Sequence, residues 1–173
     1  MSKPSLLQGD GFVLRWSTPE DIPALADIEY DHEVKRYLAL PVTAKQDWVN
    51  KVREIRGYVV DVESLVAGRA DLKGWGKRKG ALELEVIIAR PFWGAKFGRK
   101  VAAVLLQCAF THPLTRTVVA VVHPENKASI AMLRSFKFRR RRTVSNSLHQ
   151  WQNGHLIYML SRRAYETLQG ESA

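Results

Sequence analysis

Hydrophobic and polar positions change their period several times along the chain, and each change marks an element. Phe12 to Trp16 reads as a short strand; Thr18 and Pro19 follow as cap and first helical residue, and Ile22, Leu25 and Ile28 then line one helical face. Asp31 opens a second short helix through Val34, Tyr37 and Leu38, stopped near Pro41. Thr43 and Gln46 have capping-box spacing, and Trp48, Val49, Val52 and Ile55 line the helix that this predicts. From Tyr58 the period becomes that of strands. Residues 58 to 61, 66 to 72 and 81 to 88 are rich in β-branched and aliphatic side chains and are parted by turns with Gly or Ser, which predicts three consecutive antiparallel strands.

The third of these strands ends at Ala89-Arg90-Pro91-Phe92-Trp93-Gly94, after which Val101, Val104, Leu105, Cys108 and Ala109 recur at helical spacing up to His112. Thr117 to Val122 is almost wholly apolar, the pattern of a strand covered on both faces. Strand, glycine-containing loop, helix and strand make a unit whose two strands run parallel with a right-handed crossover. A helix over 126 to 136 turns Ile130, Leu133 and Phe136 inward; 138 to 144 and 155 to 160 read as a hairpin pair joined by the polar stretch 145 to 154, and a short helix covers 164 to 168. No repeat or linker divides the chain. The expected fold is a single α/β domain over 1–173, with its core at about 10–168, built on a mixed, mostly antiparallel sheet flanked by helices.

Composition narrows what such a domain does. With 173 residues, 46% of them hydrophobic, the chain supports one core without disulfides or metals, and disorder is excluded. The lone cysteine, Cys108, has no internal disulfide partner, lies on an apolar helical face and is expected in the core; a reducing compartment follows. The N-terminus lacks the apolar stretch of a signal sequence, and no run approaches the roughly 18 apolar residues of a membrane helix. A soluble cytoplasmic protein without membrane contact is therefore expected. The five histidines are scattered and no HExxH or CxxC spacing occurs, so no metal site is expected. Lys and Arg number 27 against 17 Asp and Glu, a net charge of +10, which points to phosphates, nucleic acid or an acidic protein as partners.

In a strand–loop–helix unit the ligand belongs at the carboxyl ends of the parallel strands. There the amides of Phe97, Gly98 and Arg99, the helix dipole, and the charges of Lys96, Arg99 and Lys100 make an anion site. Gly94 and Gly98 serve a tight turn and close helix packing equally well.

The segment RPFWGAKFG, followed by an apolar helix, a strand and HPENKASIAMLRSFKF, resembles the acetyl-CoA-binding core of the GNAT superfamily of N-acetyltransferases. VLRWSTPEDIPAL with DHEVKRYLALP, and HLIYMLSRRAYE, are similar to the opening and closing segments of its RimJ/RimL-like branch. The resemblance implies transfer of the acetyl group of acetyl-CoA to a primary amine, foremost a protein N-terminal amino group, and a parallel strand pair that splays around pantetheine. Carried over, the backbone of Val86, Ile87, Ile88 and Ala89 pairs with pantetheine, while Trp93, Gly94, Ala95, Lys96, Phe97, Gly98, Arg99 and Lys100 hold the pyrophosphate, with Arg134 a further candidate for the cofactor's phosphates. Lys96 stands where the family has glycine. If that position needs a positive φ, lysine costs about 1–2 kcal/mol there, unless the loop bends differently or a phosphate contact offsets the strain.

Amines of pKa roughly 8 to 10.4 arrive protonated, so transfer needs a base or a water relay. Glu83 in LELEVII matches the family's catalytic glutamate. Alternation puts Glu85 on the same face, as a second candidate, and neighbouring carboxylates raise one another's pKa; either also suits a solvated strand face. For the leaving thiolate, the family's tyrosine position is Leu133 and its nearby glycine is Lys137, whereas Asn126 and Ser129 match the branch. Ser129 would donate to the thiolate, and Asn126 would hydrogen-bond pantetheine or cap its helix.

Positive charge is clustered. Arg134, Lys137 and Arg139 to Arg142 give six cations without an acid, and Lys73, Lys77, Arg78 and Lys79 give four. Such runs guard strand edges and solvated turns, or contact an acidic protein or RNA. Two alternatives to the N-terminal acetyltransferase therefore stand: a catalytically weakened GNAT-fold module that binds nucleic acid or an acidic protein, and a toxin-like aminoacyl-tRNA acetyltransferase, against which Leu133 counts. The acceptor is set by loops around 37 to 41 and 145 to 154, and the chain reads equally as monomer or homodimer.

Overall fold

The Asp10-Gly11 dipeptide turns the chain between two strands. β1 (Leu6–Gly9) runs antiparallel to β2 (Phe12–Trp16), from Leu6 opposite Arg15 to Gly9 opposite Phe12, and Gly11 takes a φ of +79° in the turn. β1 is absent from the expectation drawn from apolar alternation, because four residues are too few to establish a period; the Asp-Gly pair is its only local signal. This computed structural model describes residues 4–38, 45–46, 49, 57–94, 96–143 and 154–171. Thr43, Trp48, Val52 and Ile55 of the predicted third helix, Ala95, and the polar stretch 145–153 lie outside the described residues.

The remaining elements follow the predicted order. A 3-10 turn (Pro19–Asp21) leads into α1 (Ile22–Tyr30), and α2 (His32–Lys35) starts where the Asp31 carboxylate accepts from the amides of Glu33 and Val34. Then come β3 (Tyr58–Val62), β4 (Leu65–Gly74), β5 (Ala81–Ile88), α3 (Phe97–Thr111) and β6 (Thr117–Val122). α4 (Lys127–Ser135), β7 (Arg139–Thr143), β8 (Leu156–Ser161) and α5 (Arg162–Gly170) complete the chain. The strands form one sheet in the order β1-β2-β3-β4-β5-β6-β8-β7. β1/β2, β2/β3, β3/β4, β6/β8 and β7/β8 are antiparallel, and β5/β6 are parallel, with Ala81 opposite Thr117 and Glu83 opposite Val119. It is the mixed, mostly antiparallel sheet expected of an α/β domain.

The residues gather into two compact units, Met1–Asp71 with Glu85–Leu105, and Leu72–Leu84 with Leu106–Ala173. In the first, Leu25, Ile28 and Val34 from the first two helices pack with Val59, Ile87 and Ala89. The carbonyl of Ile87 lies so close to Gly68 that a Cβ there would stand 2.1 Å from it, so only glycine fits at that point of β4. In the second, Val118, Val119, Leu133, Phe138 and Leu160 are buried, and Phe110 stacks on Tyr165 at 4.6 Å. Along α3 the buried face is rotated from the predicted one. Ala102, Leu106 and Phe110 join Val101, Leu105 and Ala109 in the interior, while Val104 and Cys108 are half-buried. Apolar residues nearly encircle this helix, so their spacing does not single out one face.

Candidate active site

β5 ends in the first unit, where its backbone groups divide between two sides. The Ala89 amide donates to the Ala67 carbonyl at 2.8 Å, and the Ile87 carbonyl lies against Gly68. Ile87 and Ala89 therefore turn their backbone toward β4. Because alternate residues of a strand direct these groups oppositely, Val86 and Ile88 face the other way. The indole Nε1 of Trp93, itself 46% exposed, donates to the Ile88 carbonyl at 2.8 Å and folds the loop back over the strand end.

The loop then passes through two left-handed residues, Gly94 at φ +89° and Lys96 at φ +58°. The Phe97 amide closes this turn on the Gly94 carbonyl at 3.0 Å; Gly98 and Arg99, the other predicted amide donors, lie in the first turn of α3. Gly98 packs against the Ile88 side chain, 3.6 Å from where a Cβ would sit. Lys96 and Arg99 are exposed, and Lys100 pairs with Asp10 at 2.6 Å. The left-handed residues Gly94 and Lys96, the helix N-terminus and the cations are features of the kind that suit an anionic group, and they make this loop the candidate cradle.

Glu85 belongs to a charge cluster that spacing along β5 does not reveal. Arg69 of β4 donates through Nη2 to Glu85 at 2.7 Å and through Nε to Glu29 of α1. Burial pushes the Glu29 carboxyl above its ordinary range against the pull of Arg69, and the charge of Glu85 adds to the rise. Burial works against the charge of Arg69 too, but Glu85 and Glu29 overcome it and hold its pKa above the usual value. The signal for Glu29 was its place in the helical repeat: seven residues after Ile22, on the apolar face of α1, a carboxylate needs a buried partner.

In the second unit Glu83 is 4% exposed, and the ammonium of Lys73 stands 3.6 Å from its carboxylate. The two carboxylates that share a strand face thus have different cationic partners, and the carboxylate that acts on Glu29 is Glu85. Asn126 caps α4, its side-chain oxygen accepting from the Ser129 amide at 3.0 Å; both residues are half-buried. The cap engages the oxygen of the Asn126 side chain and not its amide nitrogen. Leu133, at the family's tyrosine position, is 2% exposed and packs in the core. Lys137, at the family's glycine position, has φ +64°. Its amide donates to the Arg134 carbonyl at 2.9 Å and that of Phe138 to the Leu133 carbonyl at 3.0 Å, the two bonds of a Schellman ending that ordinarily places glycine at this residue.

The Acetyltransferase (GNAT) domain family matches residues 12–139. No curated protein matches the chain. Solved structures similar to it include an acetyltransferase of the GNAT family from Bacillus anthracis, 15% identical with a TM-score of 0.75, covering 91% of this chain and 99% of the other. Mycobacterium smegmatis RimJ in complex with CoA-disulfide is 16% identical, with a TM-score of 0.73 over 96% and 93% of the two chains. The spermidine/spermine N-acetyltransferase SpeG from Vibrio cholerae is 14% identical, with a TM-score of 0.70 over 92% and 98%. At these identities the likeness is one of fold. The family match, in contrast, runs from the start of β2 to the first residue of β7 and takes in both the β5 carboxylates and the cradle before α3; on that match the chain belongs to the GNAT acetyltransferases, acyltransferases that draw on acetyl-CoA.

Proposed function

We propose that the chain transfers the acetyl group of acetyl-CoA to the α-amino group of a protein N-terminus. The family match over residues 12–139 carries the acetyl transfer. The acceptor rests on the similarity of the opening and closing segments to the RimJ/RimL-like branch, and RimJ is among the structures of like fold.

Acetyl-CoA, when bound, supplies the acetyl group as an activated thioester. In the first unit the residues fit its phosphates: the left-handed turns at Gly94 and Lys96, the start of α3 and the exposed Lys96 and Arg99 all favour a compact anion. Residues 93–100 hold the pyrophosphate in this reading. Val86 and Ile88, whose backbone faces away from β4, pair with pantetheine, and Ile87 and Ala89 hold that strand end in place. In the second unit Glu83 takes the proton of the acceptor ammonium, directly or through one water. The Ser129 hydroxyl donates to the departing sulfur, and the amide nitrogen of Asn126 donates to pantetheine. Glu85 is the weaker candidate, because its carboxylate is held by the Arg69 guanidinium at 2.7 Å.

Thiol release from acetyl-CoA with a peptide bearing a free α-amine tests this. Glu83→Gln is expected to lower kcat by about 10²- to 10⁴-fold with KM for acetyl-CoA little changed. Turnover that survives the substitution removes Glu83 from the mechanism. Transfer to spermidine or to lysine side chains of a peptide with a blocked N-terminus, with none to the free α-amine, overturns the acceptor.

A further inference from the structure

Charge is not shared evenly between the two units. The first holds thirteen Lys and Arg and thirteen Asp and Glu; the second holds fourteen and four, so the whole net charge of +10 belongs to the second. Lys96, Arg99 and Lys100 lie in the neutral unit. Cofactor phosphates bound there leave the excess untouched.

Within the second unit, positive charge is densest from the end of α4 along β7. Among the described residues β7 is the outermost strand on its side of the sheet, next to β8. Arg139, Arg140 and Arg141 are exposed, and no acid lies between 134 and 142. The register against β8 shifts between Arg140 and Arg142, so Arg141 is the extra residue of a bulge. Lys137 sits two residues ahead, in the left-handed conformation of a helix-ending glycine, at φ +64°. Glycine would relieve that strain, whereas lysine adds a cation. Its ion pair with Glu171, 3.2 Å long, joins two exposed side chains and stabilises little.

We propose that this edge, Lys137 with Arg139 to Arg141, binds the phosphodiester backbone of a nucleic acid strand. The bulge takes Arg141 out of the strict alternation of Arg139 and Arg140, so the edge presents three exposed guanidiniums in succession to a polyanionic strand. Each guanidinium fork takes two phosphate oxygens. An acidic peptide would dock on a sheet edge by adding a strand, which depends on a regular row of edge N–H and C=O groups. The bulge breaks that row, so β7 offers its side chains rather than its backbone.

Fluorescence anisotropy of the full chain with a short labelled single-stranded RNA, the matching single-stranded DNA and polyglutamate tests the site. Four phosphate contacts predict a slope of log affinity against log salt of about −2.8, or roughly fifty-fold weaker binding at 200 mM than at 50 mM salt. R139Q/R140Q/R141Q is expected to flatten the slope to about −0.7. K77Q/R78Q/K79Q, which removes the same charge from the exposed turn between β4 and β5, is expected to leave the slope as it is. Should the β7 variant fail to fold, R139Q and R141Q taken singly are each expected to lower the slope by about 0.7. Binding of both nucleic acids, or of RNA alone, with this pattern supports the site. No nucleic acid binding at 50 mM salt, polyglutamate bound as tightly as RNA, or equal losses in the two triple variants overturns it.

Discussion

Lys96 and Lys137 both stand where the backbone asks for glycine, at φ +58° and +64°. The left-handed conformation costs an L-residue roughly 1–2 kcal/mol. Glycine would remove that cost but lose more backbone entropy on folding. Lys96→Gly is accordingly expected to gain about 0.5–1 kcal/mol of stability in urea unfolding and to weaken acetyl-CoA binding, most strongly at low salt. A variant that gains stability yet binds acetyl-CoA as tightly as the parent, by calorimetric titration, shows that the cofactor does not use the charge. The family's glycine positions single out both lysines from the sequence, but the sign of φ is a property of the folded turn. Glu83 and Glu85 show the same division. Strand alternation treats them alike, whereas folding gives one Lys73 and the other Arg69.

At the scale of elements, side chains tie helix ends to strands. Arg15 of β2 clasps Asp21 through both Nη atoms, at 2.9 and 2.7 Å, and reaches Asp61 of β3 through Nε at 2.8 Å. The Asp21 carboxylate also accepts from the Thr18 amide at 2.8 Å, which seats the turn before α1. The hydrogen bond from Arg15, outweighing burial, holds the Asp21 carboxyl below its ordinary 3.8. A carboxylate with a depressed folded pKa contributes stability that is present above 3.8 and lost as pH falls through the folded value. Asp21→Asn is therefore expected to lose about 1.5–3 kcal/mol at neutral pH, with the gap to the parent narrowing in acid. A gap that stays constant from neutral pH down into acid contradicts this assignment.

Arg162 does similar work at the C-terminal end of α3. It donates to the carbonyl of Phe110 in the last turn of the helix at 2.8 Å, and to those of His112 and Thr115 in the loop beyond it at 2.6 and 2.9 Å. Arg162→Met is expected to cost about 2–3 kcal/mol in chemical denaturation; a loss below about 0.5 kcal/mol, the range of ordinary surface changes, counts against the clasp. Arg162 and Arg163 look alike in the sequence. The fold half-buries the first and exposes the second.

For the whole molecule, no helix among the described residues is long and apolar enough to cross a membrane, and the net charge belongs to one of the two compact units. By itself the sequence determined the order and kind of the described helices and strands from Phe12 onward, the strand–loop–helix unit, the choice of candidate residues on it and the family resemblance. These are local properties: apolar period, capping and turn residues act over a few positions. β1 escaped because its period is too short to read. Only the tertiary structure decided which groups become partners: Arg69 with Glu29 and Glu85, Arg15 with Asp21 and Asp61, and Arg162 with three carbonyls. It also decided which face of α3 is buried and which unit carries the excess charge. Most of these depend on residues far apart in the chain coming within a few ångströms, and periodicity along a sequence carries no information about such distances.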